Sequence, residues 1–218
     1  MIAENISRIK STLPEGTRLV AVSKLKPVED IMEAYRAGQR LFGENYATEL
    51  RDKAAQLPQD IEWHFIGHLQ AKQLKYYIPF VSMIHGVDSL EHLMDVERAA
   101  EKVGRTVDVL LQVHVAQEET KFGFAPDELA ASRFSPTDYP HVRICGLMAM
   151  ASNTPDEARV RADFHAVREI FNHLKTTVFA DLPCFRELSM GMSHDYPLAL
   201  AEGATLVRIG SSIFGARR

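Results

Sequence analysis

The stretch Leu19-Val20-Ala21-Val22-Ser23-Lys24-Leu25-Lys26-Pro27 decides the fold. An apolar run rich in valine reads as a strand buried on both faces. It ends at Ser23-Lys24, and Pro27 then suits the first turn of a helix. Strand, short loop and helix form the unit of a parallel sheet, and the same unit recurs along the chain.

Strands are expected at residues 18–23, 40–43, 61–66, 83–87, 107–115, 142–150, 187–190 and 206–209. Helical periodicity falls between and after them, at residues 27–37, 46–56, 69–77, 89–103, 126–132, 155–175 and 196–202, with one more helix at residues 1–13. Ser89 and the run Thr154-Pro155-Asp156-Glu157 are start signals, and Gly38, Gly104 and Gly203 fall where helices should stop. This alternation fits an α/β fold, a single (β/α)8 TIM barrel, better than the alternative of an open doubly wound sheet. No linker or composition break divides the chain, so residues 1–218 are expected to form one domain, with no second β domain.

The 218 residues are 46% hydrophobic and 25% charged, with a net charge of −4, which argues against nucleic acid or an anionic membrane as partner. No secretory h-region and no membrane-length apolar run is present. Of the two cysteines, Cys145 and Cys184, Cys145 lies within a strand-like run and reads as a buried, reduced thiol, and a cytoplasmic location is expected. The terminal Arg217-Arg218 pair reads as a solvated end.

In a parallel barrel, chemistry gathers at the carboxyl ends of the strands. The polar groups there are Lys24, Glu44-Asn45, His68, Asp88, residues 117–121, Ser152-Asn153, Ser193-His194 and Ser211-Ser212. A lysine at the rim of a core can serve as a Schiff-base former. The run Arg208-Ile209-Gly210-Ser211-Ser212 ends a strand on glycine and follows it with two hydroxyls that could cap a short helix, a pattern suited to a phosphate dianion. Ser193, at the seventh strand's exit, supplies the other half. Arg208 shares strand parity with Gly210, so its guanidinium points inward and needs an acceptor: a buried carboxylate, or a ligand's ring nitrogen. Lysine, phosphate cradle and arginine together describe a pyridoxal phosphate (PLP) site.

The chain also resembles the pyridoxal phosphate homeostasis proteins, relatives of the alanine racemase barrel domain. The resemblance is carried by Ala21-Val22-Ser23-Lys24, Phe42-Gly43-Glu44-Asn45-Tyr46, residues 63–70, Ile84-His85-Gly86-Val87-Asp88-Ser89, Gly146-Leu147-Met148, residues 188–193 and residues 207–215. It departs at Lys121-Phe122-Gly123-Phe124 and at Met150-Ala151-Ser152. The resemblance implies a PLP-binding protein of vitamin B6 homeostasis, with Lys24 forming the internal aldimine. It implies that Ser193, Gly210 and Ser211 hold the phosphate, that Arg208 faces the pyridine nitrogen and that Asn45 lines the mouth. PLP-dependent apoenzymes would be the recipients.

Arginine is always protonated, so it leaves the ring nitrogen facing it without its own proton and weakens the ring as an electron sink. In alanine racemase a second domain supplies a catalytic tyrosine, whereas the six tyrosines here fall within barrel segments. The implied role is therefore a monomeric, non-catalytic carrier. A weak racemase or other PLP enzyme is the alternative, and a cofactor-free Schiff-base aldolase a third. His64 and His68 stand four apart without a third metal ligand at a recognised spacing, so no metal site is expected. Ser193-His194-Asp195 are adjacent and cannot form a hydrolase triad.

Overall fold

The computed structural model describes residues 1–116, 122–130 and 138–215. Eight strands follow the apolar runs: β1 (Arg18–Val22), β2 (Leu41–Glu44), β3 (Glu62–Phe65), β4 (Met83–Val87), β5 (Val107–Val113), β6 (Val142–Ala149), β7 (Glu187–Ser189) and β8 (Leu206–Ile209). Each pairs in parallel with the next. The register Arg18↔Leu206, Leu19↔Val207, Val20↔Arg208 and Ala21↔Ile209 joins β1 to β8 and closes the barrel. That closure rules out the open sheet.

The helices are α1 (Ile2–Lys10), α2 (Val28–Arg36), α3 (Ala47–Ala54), α4 (Leu90–Lys102), α5 (Pro126–Ala130), α6 (Glu157–Thr176), α7 (Tyr196–Ala201) and α8 (Ser211–Phe214). Their apolar stripes explain their seating. In α1, Ile2, Ile6 and Ile9 are buried, and in α6 Val160, Phe164, Val167, Ile170, Phe171 and Leu174 are. Each such side chain contributes about 1.5–3 kcal/mol on burial. Ser89 Oγ accepts the His92 N–H at 3.1 Å, and Asp156 Oδ1 accepts those of Ala158 and Arg159, so both start signals act as caps. Gly38, Gly104 and Gly203 end α2, α4 and α7 with φ of 85°, 64° and 85°, which glycine adopts without a Cβ clash.

One segment differs from its sequence reading. Residues 69–77, expected as an α-helix, carry a 3₁₀ helix at Ala71–Tyr76. Only Leu74 is buried within it, too little of an apolar stripe to hold full α turns. Residues 117–121, the end of the helix expected at 126–132 and Arg217-Arg218 lie outside the described residues.

The apolar residues form two layers. The larger lies between barrel and helices and includes Leu19, Ala21, Phe42, Phe65, Val109, Leu147 and Val207. The smaller fills the barrel with Val20, Leu41, Met83, Leu110, Cys145, Met148 and Leu206. Cys145 and Met148, three residues apart, share the inner face because the register of β6 against β5 slips there, from Val109↔Ile144 to Leu110↔Gly146. Gly146 takes φ 152° at that bulge, and a Cβ on it would collide with the Glu187 backbone. Among the described residues no helix is long and apolar enough to cross a membrane.

The inner layer leaves a cavity at each end of the barrel. The mouth, at the carboxyl ends of the strands, holds about 280 Å³. The floor holds about 240 Å³, lined by charged groups such as Arg18 and Glu187 together with His64, Cys145 and Cys184.

Candidate functional site

Lys24 sits in a turn directly after β1, and a set of hydrogen bonds holds that turn. The Ser23 N–H donates to Gly43 O at 3.0 Å, and the Lys26 N–H to Ser23 O at 3.0 Å. Leu25 takes a left-handed φ of 60°, costly for a branched side chain, and its N–H donates to Glu49 Oε1 at 2.7 Å. Lys26 Nζ reaches across to Phe214 O at 3.0 Å, tying the loop after β1 to α8.

Behind the turn lies a buried charge cluster. Ser23 Oγ donates to Glu44 Oε1 at 2.6 Å, and Lys53 Nζ donates to Glu44 Oε1, Glu49 Oε1 and Ser23 O. Burial pushes the Glu44 carboxyl up from the usual carboxylate range, and Lys53 opposes that shift. Glu44 therefore supports the wall and does not line the mouth. On β2 it faces away from Asn45, as strand alternation requires.

Lys24, Asn45, Ser193, Arg208, Gly210 and Ser211, scattered from one end of the sequence to the other, line the single mouth cavity. Lys26, Met150, Met192 and His194 join them. The Gly210 N–H donates to Ser193 Oγ at 3.3 Å, which sets the exits of β7 and β8 side by side. A Cβ on Gly210 would stand 3.1 Å from Val22 O, so glycine lets β8 close against β1 at this height. Ser211 and Ser212 open α8 as its first two residues, with Gly210 at the cap position. They are not its caps, as the sequence suggested. Their N–H groups are those a first helical turn leaves without helical partners.

Other residues expected at the mouth do not line it. His68 stacks on Phe122 with centroids 4.0 Å apart, and it lies 3.5 Å from Asp88, whose other oxygen accepts from His92 Nδ1 at 2.5 Å. Ser152 is buried, its N–H donating to Asp163 Oδ2. Ser212 and Asn153 stay outside the lining. His64 is inside the barrel, so it and His68 have separate surroundings, and among the described residues no three His, Cys, Asp or Glu side chains gather as metal ligands.

Arg208 is only 5% exposed. Nη1 donates to Ser189 O at 2.8 Å and Ser189 Oγ at 2.6 Å, and Nη2 donates to Ala149 O at 2.9 Å. No carboxylate bonds it among the described residues, which answers the question the sequence left open against the buried-carboxylate partner. Burial lowers its pKa to about 10, so it remains charged at neutral pH. Asn45 Oδ1 is buried without a hydrogen-bond partner, a deficit of about 1–3 kcal/mol unless a ligand supplies one. A half-buried amine, paired hydroxyls at a turn, a buried guanidinium with neutral partners and an orphaned amide oxygen fit a small anionic aldehyde with a ring acceptor.

Sequence reading missed the groups beneath Arg208. Ser189 accepts from it, and His85 and His64 continue inward. The signal was alternation, since Ser189 lies two residues after the inward Glu187.

The alanine racemase N-terminal domain family matches residues 1–218. A pyridoxal phosphate homeostasis protein of Aquifex aeolicus is 38% identical over 92% of this chain and 87% of its own. PipY of Synechococcus elongatus, solved with PLP bound, is 38% identical, with a TM-score of 0.88 over 99% of this chain and 100% of its own. An alanine racemase from Bartonella henselae shares the fold at 19% identity, with a TM-score of 0.71 over 99% of this chain and 58% of its own. The chain belongs to the pyridoxal phosphate homeostasis protein family, within the wider alanine racemase N-terminal domain family.

Proposed function

We propose that this chain binds pyridoxal 5'-phosphate in the mouth cavity and serves in vitamin B6 homeostasis, as a carrier and not as a catalyst, and that residues 1–218 form a single PLP-binding barrel domain. The observation that carries the reading is the meeting of Lys24, Ser193, Ser211 and Arg208 in one cavity. The PLP bound to PipY supports it. Bound there, the cofactor supplies a reactive aldehyde and an electron-withdrawing ring.

The chain's own groups divide the work. The pinned turn presents the Lys24 amine to the aldehyde. Ser193, Ser211 and the first N–H groups of α8 suit a phosphate dianion. Ser189 and Ala149 take three of the five Arg208 N–H donors, so Nε–H and one Nη2–H are left over, either of which can donate to a ring nitrogen and keep it as an acceptor. That arrangement favours holding over turnover. The test is absorbance: PLP should give the purified protein a visible band that Lys24→Ala abolishes and Ser211→Ala weakens. A protein that PLP leaves colourless overturns the reading.

The second reading, a weak amino-acid racemase, keeps the same site. Its measure is α-proton exchange of amino acids in deuterated water, where turnover well above free PLP would displace the carrier role. Delivery to PLP-dependent apoenzymes draws support from Leu25 and Tyr46, exposed apolar side chains that directly follow the mouth residues Lys24 and Asn45. Transfer to an apoenzyme faster than release into solution is the expected outcome.

A further inference from the structure

The barrel interior carries a polar chain that packing does not require. Arg208 Nη1 donates to Ser189 Oγ (2.6 Å), Ser189 Oγ lies 3.0 Å from His85 Nδ1, and His85 Nε2 lies 2.8 Å from His64 Nδ1. Ser189 and His85 are fully buried, and His64 is nearly so. The chain runs the depth of the barrel: Arg208 lines the mouth cavity, and His64 lines the floor cavity.

We propose that Ser189, His85 and His64 are positioning residues for Arg208, forming one hydrogen-bond chain with a single direction from mouth to floor. The direction follows from donor counting. Arg208 has only donors, so Ser189 Oγ must accept from it. The serine's own proton then needs an acceptor, and His85 Nδ1 is the one in reach. His85 so accepted carries its proton on Nε2 and donates it to His64 Nδ1. His64 in turn carries its proton on Nε2, toward the floor.

Run in reverse, the chain would give Ser189 Oγ two donors and strand its hydroxyl proton in a buried site. Both imidazoles are thus neutral Nε2–H tautomers, in accord with the low pKa that burial gives each. The consequence at the mouth is a guanidinium fixed by neutral partners. Its orientation is set from beneath, by groups that never touch a ligand.

This inference rests on the PLP-binding reading for its effect on a cofactor, but its core is readable without one. In ¹⁵N-histidine-labelled protein free of PLP, long-range ¹⁵N–¹H correlation spectra should show His64 and His85 as neutral Nε2–H tautomers. A proton on Nδ1 of His85 overturns the proposal whether or not the protein binds PLP. With PLP added, Ser189→Ala should shift the bound absorption maximum and weaken affinity about tenfold, the loss of one hydrogen bond to a charged group. Ser189→Thr, which keeps the hydroxyl, should restore both. A Ser189→Ala protein with the wild-type maximum and affinity overturns the positioning role. A wild type that binds no PLP, yet shows the expected tautomers, sinks the proposed function and leaves the chain standing.

Discussion

Lys53 Nζ lies 2.8 Å from Glu44 Oε1 in the wall behind Lys24, and both side chains are shut away from solvent. The second carboxylate oxygen, Oε2, is buried with no partner. The pair therefore holds the Lys24 turn at a cost. Burial raises the folded pKa of Glu44 above its unfolded value, so the ionised form opposes folding, and that penalty is relieved as pH falls through the folded pKa. Lys53→Met removes the attraction that limits the rise. It should lose about 3–5 kcal/mol at neutral pH. The deficit should shrink over the range from neutral pH downward, as Glu44 takes up a proton. Urea unfolding across that range checks it, and a deficit constant with pH would assign the loss to something other than Glu44.

Tyr77 stacks on Phe65 with centroids 4.3 Å apart, and its hydroxyl is buried without a hydrogen-bond partner. Burial also drives its pKa up, which keeps the phenol neutral. Tyr77→Phe keeps the ring contact and removes the unmet polar group. It should stabilise the protein by about 1 kcal/mol. A drop in the thermal midpoint would mean that the hydroxyl has a partner after all.

The strands were legible because each is a short apolar run closed by polar or glycine residues, and short loops between such runs leave few topologies open. Lys24 and Gly210-Ser211 were legible because they sit at strand exits, where position carries meaning. Glu44 was misplaced at the mouth because a strand's last residue can face either side, and only parity with Phe42 sends it outward. The inner face of β6 was hidden for a different reason. The bulge at Gly146 breaks the period of two, and no local pattern announces a slip that depends on the pairing with β5. The link beneath Arg208 was hidden too: alternation puts its partner Ser189 inside the barrel, but His85 and Ser189 are 104 residues apart in sequence and meet only when the barrel closes.

Two glycines with similar backbones should respond differently to alanine. Gly203 has φ 85° with open surroundings, its would-be Cβ meeting only the end of Arg168 at 3.7 Å. Gly203→Ala should cost about 1 kcal/mol, the strain of a left-handed residue with a Cβ. Gly191 has φ 91°, and its Cβ would stand 2.7 Å from that of Ala199 and 2.9 Å from Tyr196 Cα. Gly191→Ala should cost at least about 2 kcal/mol more, since α7 must move away from the Ser193 loop. PLP affinity should fall with it. Equal thermal losses for the two variants would show that packing against α7 is not what fixes this loop.

His64 gives the molecule a specific weakness toward acid. Burial lowers its folded pKa to about 3, against about 6.5 in the unfolded chain. A depressed folded value means that the unfolded state takes up the proton first. Stability from the neutral imidazole is full above the unfolded pKa and is lost as pH falls from there toward the folded value. One such proton steepens the loss by up to about 1.4 kcal/mol per pH unit between about pH 6.5 and about pH 4. His64→Gln should be less stable than the parent at neutral pH, because His85 loses its fitted acceptor. Its stability should nevertheless fall more shallowly through the acid range. Carboxylates elsewhere titrate alike in both proteins, so the difference in slope isolates His64. Urea midpoints collected at several pH values give that difference directly, and parallel slopes would mean that His64 gains no proton on unfolding and is not held neutral in the barrel.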